Sequence, residues 1–264
     1  MQQYKCTNLV LDVTKLIAQL IERVNSHPSL DSVSFKRVVI YSLLIPGIII
    51  SLNENVYHPV FLTIACLLIG HKDIKPFVNL KQYKLLDLLK ISGVTILFSL
   101  LFSVVGLKIM ALFGVNDPQG LKGVIISNQE YINSLMKLPF IAVGEEFFKL
   151  LMFLTLFSLI SFGSRTARIL IATLIAAFIF GHLHIFGYEI TAGVPLMFGA
   201  IPTFYLMLYY RSILPLIIEH FFTDFYSFTG HTVFGDLFVQ ISTIVFVIGW
   251  FCWFFLSLMK KPTT

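Results

Sequence analysis

Three apolar stretches of the chain contain ionisable residues at spacings that could support hydrolysis or proton transfer. The first, FIAVGEEFFKLLMFLTLFSLI, places Glu145, Glu146 and Lys149 in a segment otherwise apolar enough to cross a membrane. A charged side chain at bilayer depth costs roughly 3 kcal/mol even on lenient insertion scales, so a functional role is the first hypothesis. The other two stretches add imidazoles and carboxylates, namely His182 and His184, then Glu219, His220 and Asp224.

Helical spacing divides the first stretch into two faces. Glu145 and Lys149 are four residues apart, so they share a face in the orientation that favours an ion pair. Glu146 is turned about 100° away from Glu145. A buried pair of Glu145 with Lys149 would explain two of the residues structurally. It would leave the second carboxylate unexplained, which favours a functional interpretation of the diglutamate.

The histidines are sorted by the same geometry. Two residues turn a helix by about 200°, so His182 and His184 point to nearly opposite sides and at most one of them faces a common site. His220 and Asp224 are one turn apart on one face. An aspartate in that position can hold an imidazole in one tautomer and orientation, as in catalytic and metal sites. A lone intramembrane histidine is more often a hydrogen-bonded core residue, but three polar helices together favour a site.

The three motifs also have a family resemblance. GEEFFK (144–149), FGHLH (180–184) and HFFTD (220–224) resemble, in order and placement, the motifs of the CPBP (CAAX protease and bacteriocin-processing, or Abi) family of intramembrane glutamic endopeptidases. The resemblance implies an all-α membrane protein with eight spans that hydrolyses a peptide bond without a cofactor. It covers a motif core of residues 131–230.

The resemblance also implies a role for each motif residue. Glu145 and Glu146 activate the attacking water together with His184, and a carboxylate in an apolar cavity suits a general base. His220 stabilises the developing oxyanion. Asp224 orients His220, because a carboxylate cannot donate to an oxyanion unless it is protonated. The secondary site residues are Lys149, Phe180 and His182.

Two features depart from the family pattern. The usual arginine four positions after the second glutamate is replaced by Leu150, and the base is Lys149 instead. This Glu-Glu-x-x-Lys pattern is similar to the PrsW-type membrane proteases, whose second motif ends in glutamate rather than histidine. The second departure is the pair of histidines in FGHLH. We favour His184, which completes Phe-Gly-x-x-His, and keep His182 as the alternate.

Two other functions fit the same residues. Glutamate, two histidines and an aspartate are a plausible zinc set for a metal-dependent membrane protease, although no H-E-x-x-H motif is present. Intramembrane glutamates and histidines also serve as proton relays, so a proton-coupled transporter or a non-catalytic bacteriocin-immunity protein is the alternative from another class. The first half of the chain lacks the repeated polar positions that a transporter would favour.

Composition indicates a polytopic membrane protein. Of the 264 residues, 57% are apolar and 12% are charged, whereas soluble domains carry roughly 25% charged residues. Because the basic residues punctuate apolar runs, we expect a bilayer rather than nucleic acid as the partner.

An amphipathic helix is predicted at 9–24, within an N-terminal segment 1–34 that precedes a helical membrane domain 35–264. Eight spans are predicted, near 36–52, 56–70, 88–115, 131–161, 167–187, 190–210, 213–230 and 236–259.

Loop charges predict the orientation of these spans. Lysine and arginine concentrate before the first span, in the even-numbered loops and in the tail, so both termini are expected to be cytoplasmic. We expect a multi-pass protein of a bacterial or archaeal cytoplasmic membrane. Its expected substrate is a membrane-associated or lipid-modified peptide or protein, since the chain is apolar and poor in loops.

One count conflicts with a shared site. At 1.5 Å per helical residue, Glu145 and His184 lie on the order of 25 Å from the predicted cytoplasmic ends of their spans, while His220 lies near 11 Å. Either RSILP (211–215) dips into the protein, so that the seventh span begins deeper, or the predicted boundaries are wrong.

Overall fold

The computed structural model describes residues 15, 18–31, 57–78, 83–118, 123–184 and 190–259, and all regular structure in them is helical. Residues 18–25 form a short N-terminal helical segment. Seven longer helices follow, which are α1 (His58–Ile74), α2 (Leu85–Leu112), α3 (Asn128–Leu159), α4 (Arg165–Leu183), α5 (Gly193–Tyr210), α6 (Leu214–Gly230) and α7 (Gly235–Met259).

These helices confirm most of the predicted elements. Each end of the seven lies within four residues of its predicted position. The first predicted span (36–52) and the division between residues 34 and 35 lie outside the described residues, as does most of the predicted amphipathic helix. Among the described residues, α2, α4 and α5 are long and apolar enough to cross a membrane. The count of eight spans therefore stays a prediction.

The long central helix α3 starts at a strong local signal. Ser127 accepts a hydrogen bond from the backbone N–H of Glu130, and Glu130 accepts one from the backbone N–H of Ser127. This capping box satisfies two backbone donors that the first turn of a helix leaves unpaired. The helix then runs for 32 residues, so the diglutamate lies well inside it.

Helix α3 lies at the centre of the bundle, where it packs against α1, α4 and α6. Its middle is buried on all sides, with Leu150, Phe153 and Leu154 fully enclosed. Helix α5 packs against α2 and α4, and α2 also packs against α6. The three motif-bearing helices α3, α4 and α6 are therefore held within one packed unit.

The entry to α6 explains the difference in depth found in the sequence. Arg211 adopts a left-handed conformation that ends α5. Ser212 and Ile213 follow and are fully buried. The backbone N–H of Ile213 donates to the carbonyl oxygen of Phe77 at 2.9 Å, which ties this turn to the end of α1. The RSILP segment thus dips into the protein, and α6 begins beneath the bundle surface.

The N-terminal segment packs across this same end of the bundle. Arg23 donates from Nε to the carbonyl oxygen of Tyr209 at 2.8 Å. The ring of His27 stacks on Phe77 with centroids 4.5 Å apart. Burial, with the charges of Arg211 and Arg165 nearby, lowers the pKa of His27 to about 4, so the ring is neutral at physiological pH.

Helix α1 approaches α3 closely beside the diglutamate. A Cβ on Gly144 would lie 2.7 Å from Oγ1 of Thr63 and 3.3 Å from the carbonyl oxygen of Pro59. Thr63 also donates from its hydroxyl to the carbonyl oxygen of Phe140 at 3.1 Å. Small residues allow such close helix contacts in membrane proteins.

We therefore expect Gly144→Ala to separate α1 from α3 and to lower the melting temperature in detergent, with a destabilisation of about 1 to 3 kcal/mol typical of overpacking. Gly249→Ala is the matched control, because Gly249 lies within α7 and a Cβ there meets no atom within 4 Å. Equal melting temperatures for the two variants would show that the close contact is not needed.

Candidate active site

The second glutamate of the motif is fixed by two partners. Glu146 is 1% exposed and forms an ion pair with Lys149. The same oxygen, Oε1, accepts a hydrogen bond from Nδ1 of His220 at 2.7 Å. Helical spacing had left a buried pair of Lys149 with Glu145 as an alternative to a functional role. In the structure the lysine side chain turns instead to Glu146, the carboxylate three residues away rather than four.

Lys149 joins the first motif to the second. Its ammonium lies over the ring of Phe180, 4.6 Å from the centroid, and the residue is 5% exposed. An aromatic face attracts a cation electrostatically, and more strongly where water is excluded. The ring and the Glu146 carboxylate thus hold the ammonium in a buried position that it would otherwise leave for water.

His220 lies where the three motifs meet. Its Nδ1 faces Glu146, while its Nε2 is 3.6 Å from Oε2 of Glu145 and 3.5 Å from Oδ2 of Asp224. The predicted pairing of His220 with Asp224 one turn later is therefore present as an ion-pair contact. One carboxylate, that of Glu146, holds the ring at Nδ1, and two carboxylates, those of Glu145 and Asp224, face it at Nε2.

Glu145 faces the cavity with an unpaired oxygen. Its Oε2 is buried and has no hydrogen-bond partner in the part of the chain that the structure describes. The Nε2 of His184, which belongs to the second motif, lies 3.7 Å away, whereas His220 belongs to the third motif. Distances of 3.6 and 3.7 Å are too long for direct hydrogen bonds, so these are ion-pair contacts.

The two histidines of FGHLH have different surroundings. His184 hydrogen-bonds through Nδ1 with the carbonyl oxygen of Phe180 at 2.9 Å, which directs Nε2 toward Glu145. His182 bonds in the same way to Phe178 and stacks on its ring at 4.1 Å. A Cβ on Gly193 would contact the His182 ring, so that side chain packs toward α5. The structure brings His184, not His182, to the diglutamate.

A cavity of about 650 Å³ gives access to these groups. This volume lies within the range of small-molecule and peptide side-chain pockets. The motif residues on its wall are Glu145, Lys149, Phe180, His184, His220 and Asp224. Apolar side chains of α2 and α5, including Leu100, Leu107 and Leu196, form much of the remainder.

Sequence reasoning gave no role to several polar residues of this cavity, among them Glu219 and His58. Glu219 was noted as a buried group but given no role, and it is 4% exposed, with the Thr223 hydroxyl donating to it at 3.3 Å. His58, the first residue of α1, also lines the cavity and was not noted at all. Its only sequence signal was a histidine at the start of an apolar segment far from the motifs.

The arrangement of the possible ligands bears on metal binding. Over the residues that the structure describes, no group of three or more histidines, cysteines or carboxylates is arranged to hold a metal ion. The geometry therefore adds no support to the zinc alternative, which a chelation experiment has to test.

Comparison with known proteins finds a family that the motif helices resemble. Residues 127–226 match the model of the family described as type II CAAX prenyl endopeptidase Rce1-like. This region is Rce1-like. The match begins at the cap of α3 and ends two residues after Asp224, so it contains all three motifs. No curated protein and no solved structure gives a significant match to the chain.

The match confirms the resemblance to the CPBP proteases for the Rce1-like region. It points to a peptidase and, with the apolar helices, to an integral membrane protein. It does not distinguish the Glu-Glu-x-x-Lys pattern of the PrsW-type proteases from the usual first motif. The catalytic type and the roles of individual residues are matters for proposal.

Proposed function

We propose that the protein is an intramembrane endopeptidase in which Glu145 is the general base that activates water. The observation that carries the proposal is the Oε2 atom of Glu145, which is buried, lacks a hydrogen-bond partner among the described residues and lies between the Nε2 atoms of His184 and His220. A base must be unengaged and within reach of the proton that it removes. Both motif carboxylates have one such oxygen, but Glu145 lines the cavity, whereas Glu146 is not among the lining residues and is held through Oε1 by Lys149 and His220.

The reaction follows from these positions. Glu145 removes a proton from water, and the resulting hydroxide attacks the carbonyl carbon of the scissile peptide. Negative charge then develops on the carbonyl oxygen, where His220, protonated on both ring nitrogens, stabilises it through the proton on Nε2. The carbon–nitrogen bond breaks as Glu145 returns the proton to the leaving nitrogen, which yields a carboxylic acid and an amine.

The remaining motif residues position the reacting groups. Glu146 accepts from Nδ1 of His220 and so fixes the ring with Nε2 toward the cavity. Lys149 neutralises Glu146, which would otherwise be a buried, uncompensated charge. His184 and Asp224 border the site on opposite sides, and we assign them to orienting the water and the His220 ring, respectively.

The substrate that we propose is a membrane-associated, lipid-modified peptide or protein, with a prenylated cysteine peptide as the first candidate. The matched family is named for a prenyl endopeptidase, and the cavity has an apolar wall of leucines beside the carboxylates.

We further propose that the chain crosses a bacterial or archaeal cytoplasmic membrane eight times with both termini cytoplasmic. The alternating distribution of basic residues supports this orientation.

The test is cleavage of membrane-anchored peptides by the purified protein in detergent, using a library that includes prenylated cysteine peptides. Each reaction is run with and without a strong zinc chelator, followed by zinc addition. Cleavage that is lost in Glu145→Gln and is indifferent to chelator would support the proposal. Loss on chelation with recovery on adding zinc would favour the metal-dependent alternative, and a preference for soluble, unmodified peptides would contradict the proposed substrate.

A further inference from the structure

We propose that His58 of α1 is a further residue of the active site, which donates a hydrogen bond from Nε2 to the substrate carbonyl oxygen as it becomes an oxyanion. This inference rests on the proposed endopeptidase function. His58 lies outside the Rce1-like region and outside the three motifs.

Packing places His58 beside the catalytic glutamate. Pro59, which follows His58, lies close to Gly144. A Cβ added to Gly144 would be 3.3 Å from the carbonyl oxygen of Pro59. Gly144 immediately precedes Glu145, so the first turn of α1 abuts the turn of α3 that carries the proposed base. His58 and Glu145 line the same cavity and interact electrostatically.

The ring of His58 has an uncommitted polar atom. Its Nε2 is buried and has no hydrogen-bond partner in the described part of the chain. By contrast, Nδ1 of His220 is bound to Glu146 and Nδ1 of His184 to the Phe180 carbonyl. A buried polar group without a partner is destabilising, so in a native structure it indicates a partner that binds there.

The chemistry of the cavity favours such a donor. Glu145, Glu219 and Asp224 all line it, and ionised carboxylates only accept hydrogen bonds. Nε2 of His220 already faces two of these carboxylates, at 3.6 and 3.5 Å. A developing oxyanion would therefore share the His220 donor with carboxylates. An N–H from His58, on α1, would supply a further donor.

The experiment is a double-mutant cycle in the cleavage assay. The effect of His58→Ala is measured in the native chain and again in a chain that carries Asp224→Asn. The asparagine amide introduced by that substitution can donate a hydrogen bond, which the aspartate cannot. In the native background we expect kcat to fall about 10- to 100-fold with little change in KM, since removing one oxyanion donor acts on the transition state. In the Asp224→Asn background the same substitution should have a smaller effect. His58→Gln, which keeps an N–H donor, should retain part of the activity.

The matched control is His71→Ala, an exposed histidine on the same helix, which should leave kcat unchanged. Binding of a prenylated peptide aldehyde, whose hydrate carries a tetrahedral centre, gives a readout that does not need turnover. His58→Ala should weaken aldehyde binding about tenfold more than binding of the matching amide.

The inference fails if His58→Ala lowers kcat equally in both backgrounds, or if aldehyde and amide binding fall together, because a structural role alone would produce either result. If cleavage survived Glu145→Gln in a chain that is otherwise wild type, the proposed function would be refuted instead. The aldehyde comparison would still decide the role of His58 as a donor.

Discussion

Glu145→Gln is expected to lower the rate of peptide cleavage by about 10³- to 10⁴-fold, which is the upper part of the range for loss of a general base. Glutamine has the same shape as glutamate but cannot accept the proton of the attacking water. In the described part of the chain, Oε2 of Glu145 makes no hydrogen bond, and the Nε2 atoms of His220 and His184 lie 3.6 and 3.7 Å from it. The substitution should therefore change the chemistry far more than the stability. Initial rates on an anchored peptide, with melting temperatures in the same detergent, would measure both.

Glu130→Gln is the matched control on the same helix. Glu130 is exposed at the first turn of α3, where it accepts from the backbone N–H of Ser127. Glutamine at this position of a capping box preserves the bond, so activity and stability should both remain near the native values. Cleavage by Glu145→Gln within threefold of the native rate would show that the base lies elsewhere, and Glu146 would be the next candidate.

The helical architecture was predictable because apolar length and charge punctuation are local properties of the sequence. The ends of α6 and α7 were each predicted to within one residue, since Arg211, Pro215, the glycine-bounded turn at 230–235 and the lysines after residue 259 mark them clearly. The starts of α2 and α3 were predicted three residues late. Helix α3 begins in polar residues, and the first turns of α2 contain Asp87 and Lys90, so hydropathy alone places both starts too late.

The composition of the site was predictable, but its internal pairing was not. Spacing placed His220 with Asp224 and separated His182 from His184, and both relations hold in the structure. Spacing offered Glu145 as a possible partner of Lys149 but could not decide the pairing, because side-chain direction depends on Phe180, a residue on another helix. A sequence gives the face of a helix and not the neighbour that attracts a long side chain.

Two features depended wholly on tertiary packing. The inward path of Ser212 and Ile213 was one of two alternatives that helix lengths left open, and a hydrogen bond to Phe77 selects it. His58 could not be recognised because its closeness to the diglutamate depends on Gly144, which lets α1 approach α3. Neither contact has a signature that can be found along one segment.

Lys149→Met is expected to be the most destabilising single substitution at the site, with a loss of about 3 to 5 kcal/mol. Methionine fills a similar volume, so the packing against Phe180 is largely kept while the charge is removed. Glu146, only 1% exposed, then retains a hydrogen bond from His220 but loses its ion-pair partner on α3. The melting temperature in detergent should fall by about 10 °C or more, since each kcal/mol is worth roughly 2 to 4 °C in a chain of this size. Activity should fall as well, because an uncompensated Glu146 attracts His220 more strongly away from the cavity.

The double substitution Lys149→Met with Glu146→Gln separates charge from packing. Removing both charges abolishes the uncompensated carboxylate, so most of the lost stability should return, as happens when buried ion pairs are replaced by neutral groups of similar volume. Lys90→Met provides the matched control, because Lys90 is 3.7 Å from Asp87 on α2 and both side chains are about half exposed. An exposed pair of this kind contributes less than about 1 kcal/mol. If Lys149→Met were no more destabilising than Lys90→Met, the buried ion pair would not be what stabilises Glu146, and the hydrogen bond from His220 would have to be sufficient.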